Sequence, residues 1–273
     1  MATALITGGT SGIGAEFARQ LAARGDDLVI VARDQTRLDS AAASLHAEFG
    51  INVETITADL ADRQDVARIA ARIEDAKRPI DLLVNNAGSG VRTSLLAVDT
   101  APHEHAFEVM CRAMLVLGGA AARSMRGRGG AIVNVSSLQS FLATGSYAAL
   151  KAWVTAYSQS LAVELRGTGI TVTAVLPGWV RTEWHERAGA SRSSLPSFLW
   201  TNPKDVVRIV LKDVRRGRVI SIPTVRYAVL GWFARHGPFR AVRWISGKIS
   251  SSRESAPHSA DGSEHPDVKV DKR

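Results

Sequence analysis

Over its first 176 residues the chain alternates short β-branched, apolar runs with long alanine-rich amphipathic stretches. Thr3–Thr7, Leu28–Ala32, Val53–Thr57, Leu82–Asn85, Ala131–Val135 and Ile170–Leu176 read as strands buried on both faces. Between them Ile13–Arg24, Gln35–Phe49, Arg63–Lys77, Pro102–Met125 and Ser146–Arg166 read as helices. Asp34 and Asp62 suit helix N-caps, and Gly25, Gly50 and Gly167 stand where a C′ glycine closes a helix. Strands regularly interleaved with helices on short loops leave one economical solution, a parallel, doubly wound α/β sheet with helices on both faces.

After Leu176 the rhythm loosens. Asn202-Pro203 is a cap and first-turn pair for a helix running to about Arg216, closed by Gly217. Arg218–Ile222 makes a last strand, ended by Pro223, so the sheet has about seven strands. Residues 227–249 read as two short amphipathic helices broken at Gly237-Pro238, and 250–273 as a disordered tail. The organisation is therefore one domain over 1–225, basic helices over 226–249, and the tail.

Composition narrows the chemistry. The net charge of +8 is local: residues 213–249 hold eight Arg or Lys against one acid, whereas the first 212 residues sum to only +2. A nearly neutral body without base-stacking or groove-reading motifs argues against a nucleic-acid partner. The single cysteine, Cys111, cannot form an internal disulfide. No signal peptide is visible and no uncharged apolar run is long enough to span a bilayer, so the expected location is the cytoplasm.

Between the first strand and first helix lies Thr7-Gly8-Gly9-Thr10-Ser11-Gly12-Ile13-Gly14. Glycines in that context let the backbone turn sharply and approach a pyrophosphate at the positive end of the helix, the arrangement of a Rossmann-type dinucleotide site. Nineteen residues beyond Gly14 comes Arg33, where an acidic residue would take the ribose 2′-hydroxyl of NAD. An arginine there suits the 2′-phosphate of NADP, so NADP(H) is the expected cofactor, with NAD(H) the alternative. The neighbouring Asp34 is assigned to capping.

Tyr147-Ala-Ala-Leu-Lys151 places a phenol and an ammonium on one helical face. A tyrosine normally titrates near ~10, and an ammonium ~4 Å away at an effective dielectric of ~20 favours its ionised form by about 4 kcal/mol, roughly three pKa units. That brings the phenol into range for proton transfer near neutrality. Ser136-Ser137 and Asn85-Asn86-Ala87-Gly88 end the fifth and fourth strands at the carboxyl edge of the sheet, where ligands of open α/β sheets bind.

With Thr7–Gly14, Asp59-Leu60, Asn85–Gly88, Ser137, Tyr147/Lys151 and Pro177-Gly178-Trp179-Val180-Arg181-Thr182 in this order, the chain resembles the short-chain dehydrogenase/reductase family over about residues 3–222. The resemblance implies hydride transfer between a nicotinamide and a ketone or aldehyde and its alcohol. It implies Tyr147 as the general acid in reduction and base in oxidation. Lys151 would tune that tyrosine and hold the nicotinamide ribose, and Ser137 would orient the substrate oxygen. Gly8, Thr10, Ser11, Gly12, Ile13 and Gly14 would cradle the cofactor. Asp59 and Leu60 would border the adenine, Asn86 would line the cleft, and Val180 with Thr182 would bind the carboxamide. Homo-oligomers are common among such proteins, and one is expected here.

Two departures stand out. The family usually has an asparagine in the helix before the fifth strand that helps a water-linked proton relay; the matching position holds Met110. Ser137 precedes Tyr147 by ten residues, fewer than in many members, with Ser136 and Ser140 as weaker candidates for its role. Met110 keeps a second reading open, a non-catalytic NADP(H)-binding sensor or a membrane-associated regulatory protein. No metal-ligand pattern is present: His103 and His105 read as surface helix residues, and Cys111 as packed. Trp179, Trp184 and Trp200 flank a stretch of about 183–201 expected to form the substrate lid; contact with substrate would make that substrate bulky and apolar. In 238–249, Phe239, Val242, Ile245 and Ile249 share a face while Arg240, Arg243 and Lys248 lie off it. That suits a membrane surface, or a helix packed on the domain or a partner subunit.

Overall fold

The computed structural model describes residues 2–91, 93–182 and 199–236. Its strands β1 (Thr3–Thr7), β2 (Asp27–Ala32), β3 (Val53–Thr57), β4 (Leu82–Asn85), β5 (Gly130–Val135), β6 (Ile170–Val175) and β7 (Ile220–Ser221) form one sheet. Its order is β3-β2-β1-β4-β5-β6-β7, and every neighbouring pair is parallel. The chain winds outward from β1 in one direction, then returns past it to β4 and winds the other way. The point of reversal, between β1 and β4, opens a crevice at the carboxyl ends of the strands.

The helices are α1 (Gly12–Ala22), α2 (Gln35–Phe49), α3 (Arg63–Ile73), α4 (Ala101–Phe107), α5 (Ala113–Met125), α6 (Ser146–Glu164), α7 (Pro203–Arg215) and α8 (Val225–His236). Local chemistry sets several ends. The Asp34 carboxylate accepts from Arg37 N at 3.0 Å, Asp62 from Gln64 N and Asp65 N, and the Asn202 side-chain oxygen from Lys204 N. Each satisfies a first-turn amide that the helix leaves without a partner. The sheet divides two cores: Ile6 and Ile30 face α1, α2 and α7, while Leu5, Val29 and Val31 face α3, α5 and α6.

Three features differ from the sequence expectation. β3 is an edge strand of mostly half-buried residues rather than one buried on both faces. The expected helix Pro102–Met125 is interrupted by a π turn at Glu108–Arg112. The last strand is reduced to Ile220–Ser221; Asp213 anchors it by accepting from Ser221 Oγ at 2.8 Å and pairing with Arg218 at 3.2 Å. Ala101–Met125 is the one described helical stretch long and apolar enough to cross a membrane, but half of it is buried within the domain. Most of the expected lid, with Trp184 and His185, and everything from Gly237 onward lie outside the described residues.

Candidate active site

The crevice begins at the glycine turn. Gly8 and Gly12 have φ of +68° and +56°, conformations that a β-carbon disfavours. At Gly14 a β-carbon would stand 2.2 Å from the Gly8 carbonyl oxygen, so helix α1 can approach β1 only without one. The bare backbone fits a dinucleotide pyrophosphate laid across the start of α1. Ser11 occupies the N-cap without a side-chain cap bond, and Thr182 lies across the turn, its Cβ 3.3 Å from where a Gly12 β-carbon would sit.

Asn86 fixes this turn from below. Its Nδ2 donates to the carbonyls of Thr7 (3.0 Å) and Gly8 (3.2 Å), and Thr7 Oγ1 accepts from the amides of Asn86 (3.0 Å) and Ala87 (3.1 Å). Asn86 thus ties β4 to the glycine turn, rather than serving only as cleft lining. Its neighbour Asn85 points into the core, donating to Asn134 Oδ1 at 2.9 Å, and Asn134 donates on to Ser158 at 3.0 Å.

Farther along the edge, Arg33 follows β2 directly, is exposed, and makes no ion pair among the described residues. Asp59 holds the turn after β3, its Oδ1 accepting from Ala61 N at 3.0 Å, while Leu60 is buried beneath it. Val180 is also buried and bridges Thr201.

Tyr147 and Lys151 start α6. Lys151 is 4% exposed, its Nζ lies 5.6 Å from the centre of the Tyr147 ring, and it donates to the Val135 carbonyl at 2.8 Å. Burial pushes its pKa down to about 8, against a smaller opposing effect of Cys111. Ser137 follows β5 at the same edge, and its Oγ accepts from Gln139 N at 3.2 Å. The two alternative serines differ from it. The Ser136 hydroxyl turns inward to the Lys151 carbonyl and Thr155 Oγ1, both at 2.8 Å, which rules it out as a substrate contact. The Ser140 hydroxyl is buried without a hydrogen-bond partner among the described residues.

Met110 is wholly buried in the π turn, packed with Cys111, Leu150 and Tyr147. A β-carbon on Gly88 would lie 3.1 Å from its sulfur and 3.6 Å from Lys151 Nζ, so Met110 and Lys151 flank Gly88 together. Cys111 is buried, and desolvation pushes its thiol up to about 11. No His, Cys, Asp and Glu cluster among the described residues suits a metal ion.

One contributor had no sequence signal. Tyr227 of α8 is 1% exposed, donates to the Leu199 carbonyl and accepts from Trp179 N at 3.3 Å. Arg226 beside it donates to the Trp200 carbonyl (3.1 Å) and Thr201 Oγ1 (3.2 Å). Helix α8 thereby anchors the Pro177–Thr182 segment and the Leu199–Thr201 strand of chain that returns to it.

A doubly wound sheet with a bare glycine turn at one side of its crevice and a tyrosine beside a buried ammonium at the other is the working part of a nicotinamide-dependent oxidoreductase. Which kind follows from comparison with known proteins. Residues 2–193 match the family described as short chain dehydrogenase, and the chain belongs to that family, whose members are oxidoreductases acting on CH–OH groups.

Among curated relatives, the very-long-chain 3-oxoacyl-CoA reductase of Anas platyrhynchos is 32% identical over 226 residues, 78% of this chain and 69% of the relative. Among solved structures, a short-chain dehydrogenase from Sphingobium yanoikuyae in complex with NADPH is 34% identical, with a TM-score of 0.79 over 96% of this chain and 99% of that one. The bulky-bulky ketone specific alcohol dehydrogenase from Comamonas testosteroni is 30% identical, with a TM-score of 0.74 over 96% of this chain and 97% of that one.

Proposed function

We propose that this protein is an NADP(H)-dependent oxidoreductase that interconverts a bulky, apolar ketone or aldehyde and its alcohol. The observation that carries this reading is the placement of the Tyr147–Lys151 pair, with Ser137, at the same sheet edge as the glycine turn. When bound, the nicotinamide supplies or takes the hydride. Tyr147 gives its phenolic proton to the substrate oxygen in reduction and takes it back in oxidation. Lys151 places a positive charge beside the phenol and binds the nicotinamide ribose. Ser137 orients the substrate oxygen by hydrogen bonding.

The residues around the glycine turn divide the cofactor among them. Gly8, Thr10, Ser11, Gly12, Ile13 and Gly14 hold the pyrophosphate end, Val180 and Thr182 the carboxamide, and Asp59 and Leu60 the adenine. Asn86 keeps the turn in shape. Exposed Arg33, without a competing ion pair among the described residues, is left to take a 2′-phosphate, and the NADPH complex of the Sphingobium yanoikuyae relative supports the same preference. A bulky apolar substrate agrees with half-buried Trp179 and Trp200 beside the crevice, and with the substrates of the 3-oxoacyl-CoA reductase and bulky-bulky ketone alcohol dehydrogenase relatives.

Assembly as a homo-oligomer is supported by large apolar side chains left exposed on α4, α5 and α6, namely Phe107, Leu115 and Val163. In this reading the protein works in the cytoplasm or peripherally at a membrane, on a small-molecule substrate and without a nucleic-acid partner. The sensor reading rests on Met110 alone; an unreactive protein would still bind NADPH but would convert no carbonyl.

The test is a thermal-shift titration with NADPH and NADH on wild type and Arg33→Ala. Ligand at a hundred times its Kd stabilises the fold by about 2.7 kcal/mol, so binding is read without knowing the substrate. NADPH is expected to give the larger shift in wild type, and Arg33→Ala to abolish the preference. No shift with either nucleotide would overturn the assignment.

A further inference from the structure

Helix α8 is apolar on two opposite faces. Its inward face carries Tyr227, bonded to Trp179 and Leu199, and Gly231, where a β-carbon would lie 3.0 Å from Leu138 and 3.2 Å from Ile222. That face is fully used by the domain. On the outward face Val225, Val229, Trp232 and Phe233 stand at i, i+4, i+7 and i+8, a single stripe along the helix. They are 82%, 51%, 58% and 58% exposed, and the two rings meet edge to face at 5.1 Å. At 100° per residue, exposed Arg226 and Arg235 fall on the two flanks of this stripe.

The charge pattern selects the occupant. From residue 214 to residue 253 the chain contains no Asp or Glu. Pairing this stripe with the same stripe of a second copy would set the flanking arginines against like charge without a carboxylate on α8 to relieve it. An anionic lipid surface offers the complement: acyl chains for Val225, Val229 and Phe233, the interfacial zone for Trp232, and phosphates for Arg235, while Arg226, held to Trp200 and Thr201, adds positive charge on the other flank.

We propose that the outward stripe of α8 docks on an anionic lipid surface. Because the inward face of the same helix holds the Pro177–Thr182 segment and the Leu138–Phe141 turn after Ser137, docking turns the rim of the crevice toward the lipid. A bulky apolar carbonyl compound then reaches the site from the bilayer; this second step rests on the function proposed above, whereas the docking does not.

The experiment is sedimentation of the full chain with phosphatidylcholine vesicles with and without phosphatidylserine, for wild type and the Trp232→Glu/Phe233→Glu double variant. Both side chains are exposed and touch neither cofactor nor reacting atoms in the proposed site, so the NADPH thermal shift of the variant should match wild type. Wild type is expected to sediment with phosphatidylserine vesicles and to be released by salt, while the variant partitions about tenfold more weakly or less. Wild type remaining in the supernatant overturns the proposal, as does equal binding by the variant. A wild-type dimer that the double substitution converts to monomer in light scattering also overturns it, assigning the face to a second copy. Vesicle binding retained in a protein that shows no NADPH shift would uphold the docking and sink the site reading.

Discussion

Lys151 and Tyr147 stand one helical turn apart, with the lysine ammonium 5.6 Å from the centre of the phenol ring. The lysine has almost no access to water and spends one of its donors on the Val135 carbonyl, at 2.8 Å. A buried ammonium with so few partners costs the fold stability, and a strongly desolvated lysine of this kind is characteristic of functional sites.

That cost has a pH signature. Below pH about 8 Lys151 is protonated in both the folded and unfolded states, and the fold carries the whole penalty of the buried charge. Between about 8 and the ordinary 10.5 the folded protein has released the proton while the unfolded chain still binds it, so this residue makes stability rise with pH across that window. The gap corresponds to about 3 kcal/mol, and losing the donor to Val135 returns about 1 kcal/mol. Lys151→Met is therefore expected to be more stable than wild type by about 2 kcal/mol at pH 7, with the advantage gone by pH about 10.5. Denaturant unfolding of both proteins across pH checks this; a variant less stable than wild type at pH 7 contradicts it.

Gly14→Ala should remove the cofactor site and much of the stability together. The new methyl would meet the Gly8 carbonyl oxygen at 2.2 Å and Asn86 Nδ2 at 2.5 Å, and neither the turn nor the asparagine that holds it can yield freely. A loss of about 3 kcal/mol or more is expected, together with loss of the NADPH thermal shift. Unchanged unfolding would show that the turn is looser than its hydrogen bonds to Asn86 imply.

Tyr227→Phe removes a hydroxyl that serves both Leu199 and Trp179. Stability should fall by about 1–2 kcal/mol. The more telling readout is kinetic: a loosened Pro177–Thr182 segment should raise KM for a bulky ketone more than it lowers kcat. Equal effects on both would place Tyr227 outside the rim.

Much of this arrangement is legible in the residues themselves. Asp34 and Gly50 bracket α2 at the bounds expected from capping, because the signals are local and chemically specific. The glycine turn, the tyrosine–lysine pair and the serine after β5 are short motifs whose chain positions put them at one sheet edge once the strands are parallel. What was hidden depends on partners remote in sequence. The bond from Asn86 to Thr7 joins residues 79 apart, so the asparagine reads as cleft lining until β1 and β4 are neighbours. The π turn at Glu108–Arg112 leaves the apolar pattern of its helix almost undisturbed, and packing of Met110 and Cys111 against α6 accompanies it. Helix α8 is apolar on both faces, so periodicity alone does not say which face the domain takes.

In the proposed mechanism Tyr147 is the acid and base of carbonyl reduction with NADPH. The most direct measurement compares NADPH oxidation by wild type and Tyr147→Phe across a panel of bulky ketones and aldehydes, with NADPH affinity followed in parallel. Wild type is expected to turn over at least one of them, and the variant to lose about a hundred- to ten-thousandfold in kcat while binding NADPH nearly as tightly. A variant as active as wild type would contradict the account, and a wild type that binds NADPH but turns over none of the panel would favour the sensor reading instead.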